Sequence, residues 1–227
     1  MQGILLVDKP IGITSHKVVE IVRRRLKIKK VGHAGTLDPI ASGLLIVMVG
    51  SATKLSNQLM SEFKGYEVEM VLFLETETGD ITGKKKDYHE VVNISHDQII
   101  NSLNKFNGIK YSQKPPIYSA IKINGMKLYE YARKNLTVEI PEREVFIRKI
   151  DFLNYDSKNN KVSFSVDCSK GTYIRSLVVD IAKELKTVAS VSSLRRINIG
   201  EYLIKDSKNL EDINEYDIIS IKNIRNS

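Results

Sequence analysis

The sequence predicts an α/β protein of the α+β kind: one domain, with a mixed, largely antiparallel central sheet flanked by helices. Strand-like runs arrive both as direct neighbours and separated by helical stripes, which favours mixed pairing. No internal repeat, low-complexity tract or Gly/Ser linker divides the 227 residues. With 42% hydrophobic and 27% charged residues, the chain can bury a substantial core and is not disordered as a whole.

The elements follow in order. Residues 4–7 read as a short strand ended by Asp8-Lys9-Pro10. Thr14 or Ser15 can cap a helix whose Val18, Val22 and Leu26 form an apolar stripe. Residues 32–43 are a loop of small residues, 44–49 a fully apolar strand, and 53–63 a short helix. Tyr66, Val68, Met70, Leu72 and Leu74 alternate on one face of a strand, and 75–86 is a polar connection. Ser95 to Gln98 has the capping-box pattern, followed by Ile99, Leu103 and Phe106 at helical spacing, with Gly108 as the stop. Lys114-Pro115-Pro116 forces an extended segment, and 127–134 suggests a short helix. Residues 145–153 and 161–168 are two strands, the second placing Cys168 as a buried filler. Ile174, Leu177, Val178, Ile181 and Leu185 mark an amphipathic helix.

Charge narrows the function. The net charge is +8, and Lys17, Arg23, Arg24, Arg25, Lys27, Lys29 and Lys30 fall in one window with a single acid, Glu20. Lys84, Lys85 and Lys86 form a second cluster, Arg195 and Arg196 a third, and residues 206–227 run acidic. This asymmetry favours a polyanion partner, although an ordinary solvated face has the same composition. No apolar stretch approaches the roughly 20 residues that cross a bilayer. The N-terminus lacks the basic region and long apolar run of a signal peptide, and one cysteine excludes an intramolecular disulfide. A cytoplasmic address with no membrane association is expected.

Asp38 is the candidate catalytic group. It lies in Gly32-His33-Ala34-Gly35-Thr36-Leu37-Asp38-Pro39, where the glycines allow close backbone approach and Pro39 keeps Asp38 extended. A carboxylate on a rigid loop can act as nucleophile or base, but Asp-Pro is also an ordinary turn, and spacing alone does not separate the two. His33 invites a general-base reading. The four histidines, His16, His33, His89 and His96, have no ligand spacing, so no metal is expected. Gly50-Ser51-Ala52-Thr53-Lys54 lacks the spacing of a phosphate loop. Arg175 sits near a helix start, where the dipole gives a guanidinium no reason to be; a carboxylate or phosphate partner would explain it, and so would plain exposure. Tyrosines beside basic residues, such as Tyr66, Tyr118 and Tyr129, can stack on unpaired bases or simply half-fill a strand face.

In its order of motifs the chain resembles the TruB family, bacterial tRNA pseudouridine synthases acting on uridine 55 of the T loop. The resemblance rests on Asp8-Lys9-Pro10, Gly12-Ile13-Thr14-Ser15, the 32–39 block with Ala41-Ser42-Gly43-Leu44-Leu45 behind it, and Ala52-Thr53-Lys54. It continues through Lys64-Gly65-Tyr66, residues 76–83, 113–120 and 125–133, Gly171-Thr172-Tyr173-Ile174-Arg175 and Ser193-Leu194-Arg195-Arg196. It implies a pseudouridine synthase fold with an active-site cleft, and roles for particular residues. Asp38 matches the catalytic aspartate, Tyr66 the tyrosine stacking on the target base, and Arg175 the arginine orienting the carboxylate. Tyr173 and Leu194 match the uracil pocket, His33 an RNA-contacting histidine rather than a base, and Lys9 and Pro10 a supporting motif.

The resemblance further implies a tRNA (T arm) partner, no cofactor, no metal and no obligatory protein partner, with nothing calling for more than a monomer. Assistance to RNA folding can coexist with catalysis. Longer bacterial relatives carry a C-terminal PUA domain, and the expectation is a single catalytic domain over 1–227 without one. A non-catalytic RNA binder is disfavoured by Asp38, Tyr66 and Arg175 together. An Asp-dependent hydrolase would pair two carboxylates, and no second acid shares the Asp38 loop. A guide-RNA-complex relative is the third alternative.

Overall fold

The computed structural model describes residues 2–221; the last part of the acidic segment, 222–227, lies outside the described residues. The chain divides into two compact units, one formed by Met1–Glu67 with Ser193–Ser227, the other by Val68–Ser192.

From the N-terminus, β1 (Gly3–Lys9) leads to α1 (Ser15–Leu26), which Thr14 caps by accepting from the Lys17 amide at 3.1 Å. Lys27, in the left-handed conformation, stops that helix. β2 (Val31–His33) and β3 (Ser42–Val49) bracket the 34–41 loop. A 3₁₀ turn over Gly50–Leu55 and α2 (Ser56–Ser61) replace the single helix expected at 53–63. β4 (Lys64–Leu72) follows; the chain then turns at Phe73, with φ of 66°, into β5 (Leu74–Thr76), which pairs with β6 (Lys85–Tyr88). The expected polar connection at 75–86 is therefore largely a hairpin, hidden because every residue of β6 is exposed and polar or amphipathic.

α3 (His96–Asn104) begins at Ser95 with the expected capping box to Gln98. β7 (Ile109–Gln113) was not expected; neither was the small hairpin of β8 (Lys122–Ile123) and β9 (Met126–Lys127). That hairpin turns at Asn124-Gly125, both with positive φ, the turn chemistry an Asn-Gly pair announces. α4 (Leu128–Arg133), β10 (Arg143–Asp156), β11 (Lys161–Cys168) and α5 (Ile174–Glu184) lie where the periodicity puts them. β12 (Ala189–Ile199), β13 (Tyr202–Leu203), β14 (Lys208–Asn209) and β15 (Ile219–Ser220) complete the chain.

In the first unit the strands run in the order β14-β1-β3-β12, with β2 beside β3, β13 beside β12 and β15 beside β1. β1 and β3 are antiparallel, while β3 with β12 and β1 with β14 are parallel. β1 and β3 read as unbroken apolar runs because both of their faces are covered. Leu5, Val7, Leu45 and Val47 face α1 residues Val18, Val19 and Val22; Ile4, Leu6, Leu44 and Ile46 face Leu59 and Ile199. The described part of the acidic segment is a working part of this unit: Leu210 and Ile213 join the α1 core.

In the second unit the order is β4-β11-β10-β7, with antiparallel pairing of β10 to both β11 and β7. β11 alternates as expected, burying Val162, Phe164, Val166 and Cys168. α3 lies against β10 and α5.

Candidate active site

The 34–41 loop carries Asp38, and it is gripped from several directions within the first unit. Ser15, the first residue of α1 and fully buried, accepts from the Leu37 amide at 2.8 Å and donates to the Leu37 carbonyl at 3.2 Å. This explains how both candidates for the α1 start are used: Thr14 caps the helix, and Ser15 ties it to the residue preceding Asp38. On the other side, the Gly12 amide donates to the Pro39 carbonyl at 2.8 Å, and the Ala41 amide closes a turn on the Asp38 carbonyl at 3.0 Å. Gly12, with φ of 89°, makes the turn that brings its amide there.

Two buried cations accompany this loop. Lys9, at the end of β1, has no exposed surface; its ammonium donates to the Pro10 and Ile13 carbonyls, each at 2.8 Å. Burial pulls the Lys9 pKa down to about 8; the negative charge of Asp38 opposes this, and the positive charge of Arg196 adds to it. Arg196, on β12, is 1% exposed and donates from Nε to the Leu44 carbonyl at 2.7 Å. Its other donors reach the Gly35 and Thr36 carbonyls at 3.2 and 3.5 Å.

This corrects the third basic cluster. Arg195, half-buried, makes a two-pronged ion pair with Asp8, at 2.6 and 3.2 Å, which offsets its charge, and Arg196 is interior. In the first cluster Arg24, Arg25, Lys27, Lys29 and Lys30 are exposed, and Arg25 also donates to the Leu210 and Glu211 carbonyls. In the second, Lys86 pairs with Glu75 at 2.6 Å, and Lys84 and Lys85 are exposed.

His33 closes β2 and is half-buried; burial, Arg196 and His16 all hold its pKa below the ordinary value, which favours the neutral ring. Its Nδ1 is buried without a hydrogen-bond partner among the described residues. Pro10 opens the turn after β1 and is exposed. Tyr66 on β4 and Leu194 on β12 are both buried.

The remaining expected site residues, Tyr173 and Arg175, belong to the second unit. Tyr173 caps α5, and buried Gln113 holds its main chain from β7: the Tyr173 amide donates to Gln113 Oε1 at 2.8 Å, and Gln113 Nε2 donates to the Tyr173 carbonyl at 3.2 Å. Arg175 is buried at the start of α5, so the simply exposed reading falls. It donates to the Thr78 carbonyl at 2.8 Å and to the Tyr118 carbonyl at 3.0 Å. Gly79 packs against its stem, where an added Cβ would lie 3.4 Å from the Arg175 Cβ. Ser15, Gln113 and Arg196 lie in motif blocks of the sequence, but their positioning roles are not legible there. Among the described residues no cluster of His, Cys, Asp and Glu is arranged to hold a metal ion, and no helix is long and apolar enough to cross a membrane.

The family model described as TruB family pseudouridylate synthase (N terminal domain) matches residues 23–174. The chain belongs to the TruB family. Its relatives include a tRNA pseudouridine synthase B of Mesoplasma florum, 47% identical over 219 residues, covering 96% of this chain and 76% of that protein. The enzyme of the same name from Caldicellulosiruptor saccharolyticus is 46% identical over 224 residues, covering 99% of this chain and 76% of its own length. Among solved structures, a Cbf5-Nop10-Gar1 complex contains a chain with a TM-score of 0.70 and 30% identity, covering 92% of this chain and 53% of that one. An H/ACA RNP bound to a substrate RNA containing 2'-deoxyuridine gives a TM-score of 0.70 at 27% identity, covering 96% and 58%. This TruB-family chain shares the fold of the matched chains in these two complexes, with the mixed, largely antiparallel sheet and flanking helices that the sequence predicts.

Proposed function

We propose that this chain isomerises uridine to pseudouridine in tRNA, at uridine 55 of the T loop, with Asp38 as the catalytic carboxylate. The observation that carries the reading is the Asp38 loop of a TruB-family chain, tied down at Leu37 by Ser15 and at Gly35 and Thr36 by Arg196. Such a loop holds a carboxylate ready for one geometry of attack or proton transfer. The family resemblance assigns Arg175 the role of orienting that carboxylate, and its guanidinium is steadied by the Thr78 and Tyr118 carbonyls. His33, Tyr66, Tyr173 and Leu194 contact the substrate, and Lys9 and Pro10 support the loop.

The reaction breaks the N1–C1′ bond, turns the uracil and joins C5 to C1′; C5 gives up its proton and N1 takes one up, so it is redox-neutral. The uridine leaves its stack first, and an aromatic face such as that of Tyr66 receives the flipped ring. What supports an RNA-contacting role for His33 rather than a cationic one is its half-buried, neutral ring, with Nδ1 turned inward. Mapping pseudouridine in an unmodified tRNA transcript tests the substrate: product at position 55, and none when that position is cytidine, is expected. Product elsewhere would keep the chemistry and overturn the site.

The enzyme works in the cytoplasm as a monomer without an obligatory protein partner. What supports this is its greater identity to the bacterial synthases, 47% against 30% for the Cbf5 chain solved in complex. Light scattering of the active protein at micromolar concentration should give the mass of one chain; a stable dimer would contradict it.

A further inference from the structure

We infer that Arg196 is the positioning residue that sets the height and angle of the Asp38 loop; the inference rests on Asp38 being the reacting carboxylate. Its planar fork reaches both limbs of the loop. Nη2 and Nη1 donate to the Gly35 and Thr36 carbonyls on the incoming limb, and Nε donates to the Leu44 carbonyl on the outgoing one. The root of the side chain is equally fixed. Arg196 pairs with Gly43 in the parallel β12–β3 ladder, and a Cβ on Gly43 would fall 2.3 Å from the Arg196 carbonyl oxygen. With φ of 103°, Gly43 is also in a conformation that side-chain-bearing residues rarely adopt.

The ladder itself does not need an arginine, because strands pair through their main chains. An interior guanidinium carries a desolvation penalty, and here the penalty is compounded by a second buried cation, Lys9, close enough to sense it. What arginine adds, and no neutral or apolar residue can, is a rigid plane of donors that holds three carbonyls in fixed relation. Two of those carbonyls belong to residues one and two positions before Leu37, which Ser15 grips separately. Between them, Arg196 and Ser15 leave the main chain before Asp38 little room to pivot.

The test is a single-turnover assay with enzyme in excess over tRNA transcript, comparing wild type, Asp38→Asn, Arg196→Lys and Arg196→Ala, with thermal melting and RNA-binding Kd read on the same samples. Lysine keeps the buried charge but replaces the fork by one point of donation. Arg196→Lys should melt cooperatively, bind RNA like wild type and lose about 100-fold in the chemical rate, the scale of a 1 Å misplacement. Arg196→Ala should be slower still and should recover with added guanidinium but not with urea. A wild-type rate in Arg196→Lys, a loss confined to Kd, or loss of cooperative melting in both variants would overturn the positioning role. An Asp38→Asn enzyme as fast as wild type would instead overturn the reading of Asp38, whatever the Arg196 variants do.

Discussion

Two aspartates of this molecule sit in short Gly- and Thr-containing turns, and they are held in opposite ways. Around Asp38 the grip is on the main chain and comes from outside: Ser15 on Leu37, Gly12 on Pro39, Arg196 on Gly35 and Thr36. Around Asp80 the carboxylate itself is the organiser. Its Oδ1 accepts from Thr78 Oγ1 at 3.0 Å, from the Thr82 amide at 2.9 Å and from Thr82 Oγ1, while its carbonyl accepts from Thr76 and Thr78. A carboxylate that folds its own turn is committed to structure. Around Asp38 the neighbouring peptides are fixed from outside the turn, so the main chain that carries the carboxylate is set by other elements.

On the role proposed for Arg175, the second turn also bears on the rate, because the Thr78 carbonyl that it positions receives Arg175. Asp80→Ala should lose about 1.5–3 kcal/mol of stability, because the Thr78 hydroxyl and the Thr82 amide and hydroxyl lose a charged acceptor. It should also lose rate, by about 100-fold if Arg175 shifts by an ångström. Denaturant titration and single-turnover kinetics check the two halves; an unchanged midpoint would break the contrast with Asp38. On the first turn, Ser15→Ala removes both ties to Leu37 and leaves its main-chain groups unpaired, at about 1–2 kcal/mol and roughly tenfold in rate. An effect on stability with none on rate would show that Ser15 serves the fold alone.

Smaller effects sharpen the division between gripping and surface cations. Removing exposed Arg24 and Lys85 together should flatten the salt dependence of RNA binding, by about 0.7–0.9 in log-log slope for each phosphate no longer neutralised. Arg25→Ala, which breaks bonds to the Leu210 and Glu211 carbonyls, should lower the melting temperature and flatten that slope less than the double variant does. Equal slopes in both variants would contradict the assignment. A pH-dependent effect concerns Lys9. Folded, it releases its proton near pH 8; unfolded, at the ordinary 10.5. Between those values the unfolded chain binds more protons, so stability rises with pH relative to a Lys9→Met variant. Denaturation midpoints across that window measure the difference, and a difference falling with pH would contradict the burial of a charged Lys9.

Much of the fold was legible where the signal is local. The Thr14 cap and valine stripe of α1, the Ser95–Gln98 capping box of α3 and the alternation of β11 each depend on a few neighbouring residues. β12 was not legible, because a buried arginine breaks its apolar alternation. Two compact units left no trace either: the boundaries at Glu67 and Ser192 fall inside β4 and β12, where no linker composition marks them. In the site, Asp38 stood out through its glycines and Pro39, and Arg175 through its misfit with a helix start. The role of Arg196 stayed hidden because its partners lie more than 150 residues earlier in the chain, a relation no spacing rule encodes.

Asp38 carries the chemistry, on this reading, while its loop is held by others. The sharpest check is the single-turnover rate of pseudouridine formation at position 55 of an unmodified tRNA transcript, wild type against Asp38→Asn. The carboxamide keeps the size and the loop but loses the charge. Wild type should give product and Asp38→Asn none detectable, with wild-type RNA affinity in both. Product formation by Asp38→Asn at the wild-type rate would contradict the catalytic role of Asp38.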